Sequence, residues 1–285
     1  MSTTKTKRSF LRKLLGNPLG SIGAVMVLIV VIVAVLAPLL APHGFAQTNF
    51  SVPFQIPFTQ GYPLGTDDLG RDIASRLFYG VRASLEVGIL AVAMAVVIGT
   101  PLGLLSGYWP KADAVIARFT DVALAFPFLI IAVAFAAIAG ASLQNAAMAL
   151  GIAQIPTIVR VVRGETLRIK QMNFVSAAVA TDASPLKIMF THILPNCASA
   201  IIVQATVILP TAVIGEAMLS FLGLGIQPPD PSLGIMLSDA QQYIYRAPFA
   251  AVFPGLAIVF ICLAFNLFGD ALRDALDPNA RKEAK

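Results

Sequence analysis

Four stretches of this chain run for about 20 residues or more without an Asp, Glu, Lys or Arg, and that decides the solvent in which it can fold. They are residues 22–41, 87–110, 193–215 and 247–269. A helix rises ~1.5 Å per residue, so ~20 apolar residues match a hydrocarbon core of about 30 Å. A fifth uncharged run, 122–159, is nearly twice that long and holds the turn-like GASLQN at 140–145, so it reads as two spans joined by a short turn. With 57% hydrophobic and 12% charged residues over 285 positions, the expectation is an all-α polytopic membrane protein with six transmembrane helices.

Basic residues set the expected orientation, because Lys- and Arg-rich loops stay cytoplasmic. Sixteen of the 20 fall on one side of the six-span scheme: Lys5, Lys7, Arg8, Arg12 and Lys13; Lys111 and Arg118; Arg160, Arg163, Arg168, Lys170 and Lys187; Arg273, Arg281, Lys282 and Lys285. Arg71, Arg76, Arg82 and Arg246 take the other side. Both termini are thus expected in the cytoplasm, and the basic pI reflects topology rather than nucleic-acid binding. A cleaved signal peptide would also place basic residues before an apolar run, but the run is long for that and Pro42 follows Ala41 where cleavage would fall. The resulting divisions are a cytoplasmic segment 1–21, a first span 22–41, an extracytoplasmic loop 42–86, a five-helix core 87–270 with a cytoplasmic segment 171–196, and a tail 271–285.

In the long loop, residues 42–64 show no apolar periodicity. Beyond them Leu69, Ile73, Leu77, Val81 and Leu85 recur every fourth residue, which predicts an amphipathic helix capped by Thr66 or Asp67. Asp67, Asp68 and Asp72 lack the spacing of a calcium loop, so capping and an Asp72–Arg76 pair are expected instead of a metal site. Cys197 and Cys262 have no ligand or redox spacing and read as packing residues, and His192 reads as an interfacial polar residue. No metal is expected.

No nucleotide-binding P-loop occurs, so this chain cannot hold ATP phosphates in that manner, and active transport would need a motor on another protein. The spans offer no mid-membrane relay of ionisable groups, which counts against ion-coupled transport. Glu216 is the single acid well inside an apolar stretch; its distance from Pro195 puts it near the outer face, either as an interfacial carboxylate or as a pathway contact.

The segment FVSAAVATDASPLKIMFTHILPN, 174–196, is different in kind. Asn173 can cap a helix starting at Phe174, with Phe174, Ala177, Ala178 and Thr181 on one face. Ser184-Pro185 starts a second helix, since Pro at the first helical position loses no hydrogen bond. Leu186, Met189, Phe190 and Ile193 make its apolar face, and Pro195 breaks the pattern before the next span. Two short helices meeting near Asp182 form a compact cytoplasmic knob. Its small Ala177-Ala178 surface would admit another backbone, and its stiff ties to two spans would carry a push into the membrane.

SAAVATDAS followed by HILPN resembles the cytoplasmic coupling motif of ABC importer permeases, Glu-Ala-Ala, three residues, Gly, then Ile-x-Leu-Pro. Together with PLGTDDLGRDIASRLFYGVRASL, SFLGLGIQPP and GDALRDALDP, the chain resembles the shorter, six-span permease of the dipeptide, oligopeptide and nickel importer branch. Ser176 stands where that pattern has Glu, and Asp182 where it has Gly. The resemblance implies a type I ABC importer permease bundle in a bacterial inner membrane, paired with a second related permease. It implies two ATP-binding subunits carrying ATP and Mg, an extracytoplasmic solute-binding protein, and no cofactor on this chain. The coupling residues it implies are Phe174, Ser176, Ala177, Ala178, Asp182, Ser184, Pro185, Ile193, Leu194 and Pro195. Di- or oligopeptides are the implied cargo, with nickel or another small solute, or a gradient-driven transporter, as the alternatives.

Overall fold

The computed structural model describes residues 18–276, so most of the expected cytoplasmic N-terminal segment and the end of the tail lie outside the described residues. The order is α1 (Pro18–Leu40), α2 (Ile73–Tyr108), α3 (Pro110–Ala125), α4 (Phe128–Ala139), α5 (Leu143–Lys170), α6 (Asn173–Ala180), α7 (Pro185–Lys187), α8 (Leu194–Phe221), α9 (Leu233–Gln241) and α10 (Phe249–Leu276). A wide helical turn, Ile188–Ile193, joins α7 to α8. Among the described residues there is no strand, only isolated bridges in the loop before α2.

Five helical stretches are each long and apolar enough to cross a bilayer, and the count reaches six if α3 and α4 together make one span. The straight third span expected from the uncharged run does not form, because α3 and α4 are bent by 93°. The cause is Phe126-Pro127: Pro127 brings no amide hydrogen, and the residue before a proline is pushed to extended backbone, here φ −93° and ψ 141° at Phe126. The amphipathic helix and the second span also merge into the single 36-residue α2, which at ~1.5 Å per residue runs about 54 Å and reaches past the hydrocarbon.

The core is organised on the parallel pair α2 and α5. Gly99, Gly103 and Gly107 repeat every fourth residue on α2 and face Ile158, Val162 and Thr166, spaced identically on α5. A Cβ at Gly103 would lie 2.6 Å from the Val162 Cβ, and one at Gly107 would lie 2.5 Å from the Thr166 Cβ. Lipid tails are as apolar as Leu, so helices in a membrane adhere through such close packing rather than by escaping water. Helix α8 packs on both members of this pair, α10 on α8, and α1 on α10, where Gly23 meets the Leu267–Phe268 backbone. Cys197 is buried and Cys262 half-buried, both as free thiols in packing positions.

The loop before α2 is folded, not irregular. The buried Thr66 hydroxyl donates to the Val52 carbonyl (2.6 Å) and accepts from the Gln55 amide (2.8 Å). Asp67 accepts from the Leu69 and Arg71 amides and from Arg71 Nε at 2.6 Å. The helix cap is Asp72, not Thr66 or Asp67: its carboxylate accepts from the Ser75 amide (2.9 Å) and hydroxyl (2.6 Å). Asp72 is therefore committed to its own helix end, and the expected Asp72–Arg76 pair is absent. Arg76 and Arg71, both buried, share Asp67 and Asp239, which fastens the loop to α9. Burial pushes the Asp239 carboxyl above its ordinary range, against the opposing pull of Arg76 and Arg71. Among the described residues no group of three His, Cys, Asp or Glu could hold a metal ion.

The glycine seam makes a direct prediction. Gly103→Ile overpacks the α2–α5 contact and lowers unfolding stability in detergent by ~1–3 kcal/mol. Gly164→Ala, on an open face of α5, leaves it unchanged or raises it.

Candidate coupling elbow and buried carboxylate

At the end of the bundle that carries the basic residues, α5 stops and the chain folds back. Lys170 anchors this stop: its Nζ donates to the Tyr108 carbonyl (2.7 Å) and lies 4.9 Å from the Tyr108 ring, joining the ends of α2 and α5. Arg163 clasps Asp113 of α3 through two hydrogen bonds of 2.6 and 2.7 Å, and Ser106 donates to the same carboxylate.

Helix α6 starts at Asn173, with Met172 in the cap position and no side-chain cap, so Asn173 is the first helical residue and not the expected cap. Its end is closed by backbone alone. The Ala183 amide donates to the Ala178 carbonyl and the Asp182 amide to the Val179 carbonyl, the paired bonds of a Schellman motif. That motif needs a left-handed residue between them, and Asp182 takes it with φ 58°. Gly is the least strained residue there; Asp is among the few others that visit this region routinely. Ser184 then caps α7 by accepting from the Lys187 amide, with Pro185 in the first turn, as the Ser-Pro step predicts.

Two expected faces are turned. Ala177 is exposed, but Ala178 is only 9% exposed and packs with Val175, Ile188, Met189 and Ile193 against Ile169 and Cys197. The alanine pair is thus split between outward-facing and inward-facing sides, as a 100° step per residue requires. On the second arm Met189 and Ile193 are buried with Ile188, whereas Leu186 and Phe190 are each 58% exposed. The wide turn explains this: the Leu194 amide reaches the Met189 carbonyl, five residues back, which shifts the register of the buried face. Pro195 sits in the first turn of α8 without breaking the chain's helical path from Pro185 to Phe221. Ser176 and Pro195 are exposed and Leu194 is half-buried. His192, half-buried, lies 6.4 Å ring to ring from exposed Phe174. Phe174, Val179, Leu186 and Phe190 thus leave apolar surface on a rigid elbow whose inner side is packed.

Glu216 is not at an interface. It is fully buried where α8 meets α2, with the Ser84 hydroxyl donating to it at 2.6 Å and the Ser220 hydroxyl at 2.7 Å. Ser220 in turn accepts from the Ile226 amide (3.2 Å), so the carboxylate braces α2, α8 and the following loop. Rise along α8 alone placed Glu216 near the outer face; the neighbouring helix and the loop folded over it decide its burial. Ser220 stands one helical turn beyond Glu216, a spacing the sequence does show; Ser84 carried no sequence signal, since it lies 132 residues away. The same holds for Asp113 and Arg163, 50 residues apart.

Long apolar helices joined by close contacts, and a short amphipathic elbow at one end, are the architecture of a transmembrane permease subunit. The family described as the binding-protein-dependent transport system inner membrane component matches residues 99–282, and the N-terminal transmembrane domain of oligopeptide transport permease C matches residues 7–57. The chain belongs to this family of ABC importer permeases. It is 44% identical over 275 residues to the dipeptide transport system permease protein DppC of Alkalihalophilus pseudofirmus, covering 96% of this chain and 90% of that one. It is 47% identical over 219 residues to the glutathione transport system permease protein GsiD of Pectobacterium atrosepticum, covering 76% and 73%. Its fold is similar to a chain of the MetNI methionine ABC transporter, with TM-score 0.59, 24% identity, and coverage of 71% of this chain and 97% of that one.

Two substitutions test these sites. Asp182→Val forces a β-branched residue into left-handed backbone and lowers unfolding stability by ~1–2 kcal/mol, whereas Asp182→Gly does not lower it. At the buried carboxylate, Glu216→Leu strands two hydroxyls and costs ~1–3 kcal/mol for each left unpaired, while Glu216→Gln retains acceptor capacity and costs less; thermal unfolding in detergent ranks the two.

Proposed function

We propose that this chain is one of two permease subunits of an importer for short peptides, driven by ATP hydrolysis on partner subunits that dock on the elbow 171–196. The observation that carries the docking role is the elbow's construction. Its apolar inner face is locked to α5 and α8, while Phe174, Ala177, Val179, Leu186 and Phe190 face outward. A partner moving against that outer face displaces two spans together, because neither arm is joined to its span by a flexible linker.

The cargo reading rests on the names of the relatives, dipeptide and glutathione permeases, both of which denote short peptides. A second permease, two ATP-binding subunits and an extracytoplasmic binding protein complete the assembly in this reading, with ATP and Mg held by the partners. The elbow and both termini face the cytoplasm. Arg160, Arg163, Arg168, Lys170 and Lys187 cluster at the elbow end, and that excess supports the orientation. The divisions follow: 1–21 and 271–285 cytoplasmic, 42–86 outside, 87–270 the translocating core. Ser176, Asp182, Ser184, Pro185, Ile193, Leu194 and Pro195 shape the elbow; Glu216 holds the pathway helices in place instead of meeting cargo.

Affinity purification of the tagged chain from its own membranes, with quantification of co-purifying ATPase subunits, tests the docking. The wild type carries them, and Ala177→Arg, a change on the exposed side, loses them while the permease keeps its melting temperature. Ala178→Arg would lose them too, but by burying a charge in the elbow's core. Absence of ATPase subunits from the wild-type preparation overturns the reading.

A further inference from the structure

At the end of the bundle opposite the elbow lies a cavity of about 470 Å³, within the ~300–1,000 Å³ typical of small-molecule sites. Its walls come from separate elements. The outer end of α2 supplies Tyr79, Arg82 and Glu86; the α4–α5 turn supplies Gln144; the segment between α8 and α9 supplies Asp230; and Phe45 closes the side formed by the long loop. Arg82, Glu86 and Asp230 are exposed, and among the described residues none of the three has an ion-pair partner. Arg82 and Glu86 are one helical turn apart, where opposite charges commonly pair with each other, yet here both remain available.

The floor is stiff. Ala83 and Ile226 line it, and directly behind them the Ile226 amide, Ser220, Glu216 and Ser84 form one continuous hydrogen-bonded chain. A concave site backed by a satisfied polar network holds its wall residues in place before any ligand arrives, which lowers the ordering cost of binding.

We infer that this cavity is a receiving site for a small zwitterionic solute, a short peptide with free termini, with Arg82 taking the carboxylate and Glu86 or Asp230 the ammonium group. Charges of both signs within one small cavity select a ligand carrying both, because a purely anionic or cationic solute leaves one wall unmatched. A guanidinium binds a carboxylate through parallel donors, and a carboxylate accepts from an ammonium group through charge-assisted bonds. Gln144 offers the donor and acceptor that a peptide unit needs. Tyr79 and Phe45 present apolar faces that accommodate side chains without selecting one. The inference rests on the peptide reading above and adds a binding step within this chain, separate from the extracytoplasmic binding protein.

The test uses the complete transporter in lipid nanodiscs without its binding protein, with saturation-transfer NMR reporting binding of dialanine, dialanine amide and N-acetyl-dialanine. Dialanine binds to the wild type. Arg82→Gln weakens dialanine roughly tenfold, the loss of a charge-assisted bond, and leaves dialanine amide unchanged. Glu86→Gln combined with Asp230→Asn weakens dialanine and leaves N-acetyl-dialanine unchanged. All three side chains are exposed and unpaired, so the variants keep the fold, which the melting temperature confirms. No dialanine signal in the wild type, or equal signals in wild type and variants, overturns the site. So does an Arg82→Gln transporter that binds dialanine normally but loses stimulation of ATP hydrolysis by the binding protein, which makes the cavity a protein-docking surface. ATP-driven dialanine uptake by the wild type in proteoliposomes, with the binding protein present, separates the two levels. Uptake without binding removes this inference alone, and no uptake removes the peptide reading with it.

Discussion

The close parallel contact between α2 and α5 is the constraint on which the rest of the molecule depends. In hydrocarbon no expulsion of water holds helices together, so they stay in register only where their backbones approach closely enough for dispersion contacts to accumulate. Gly99, Gly103 and Gly107 permit that approach over two turns against Ile158, Val162 and Thr166. Because the seam lies toward one end of both helices, it also brings the chain ends at Tyr108 and Lys170 together, where the Lys170 ammonium ties them. The elbow then grows from a joined pair of helix ends and not from a single one.

From that base the two ends of the bundle are built by different physics. At the elbow end, short helices are closed by backbone geometry: a Schellman turn at Asp182, a Ser184 cap and a wide turn before Leu194. Each removes freedom without adding length, so a force applied to the elbow's outer face is carried into α5 and α8. At the opposite end, order comes from buried and half-buried polar groups joined in networks. Asp67, Arg71, Arg76 and Asp239 lock the long loop to α9, and Glu216 with its serines locks α8 to α2. Breaking a member of such a network leaves its neighbours buried and unpaired, which makes these joints stiff.

Much of this was legible in particular residues. Ser184-Pro185 announced a helix start and Asp182 the place of the elbow, because each depends only on local backbone chemistry. The Phe126-Pro127 break and the four-residue glycine period escape a reading that counts charge alone, by which the run 122–159 divides only at its GASLQN turn. Which alanine of the pair faced inward was not legible: one residue's rotation settles it, and the wide turn rephases the opposing arm. Nor could Asp67, Arg76 and Asp239 be matched from spacing, since Asp72 stood nearer to Arg76 and was the natural partner until its helix-capping role removed it.

The sequence by itself determined the solvent, the number of apolar helices to within the broken pair, the place of the elbow, and through its relatives the family. These are consequences of composition and of contacts within a few residues, which a linear pattern records. Only the tertiary structure decided that Glu216 is buried and braced by Ser84, that Arg163 holds Asp113, and that Arg82, Glu86 and Asp230 share one cavity. Arg82 and Glu86 share a helix face by their spacing, but Asp230 joins them, Ser84 meets Glu216 and Arg163 meets Asp113 across 50 to more than a hundred positions, and no periodicity encodes that, because it follows from how whole helices approach one another.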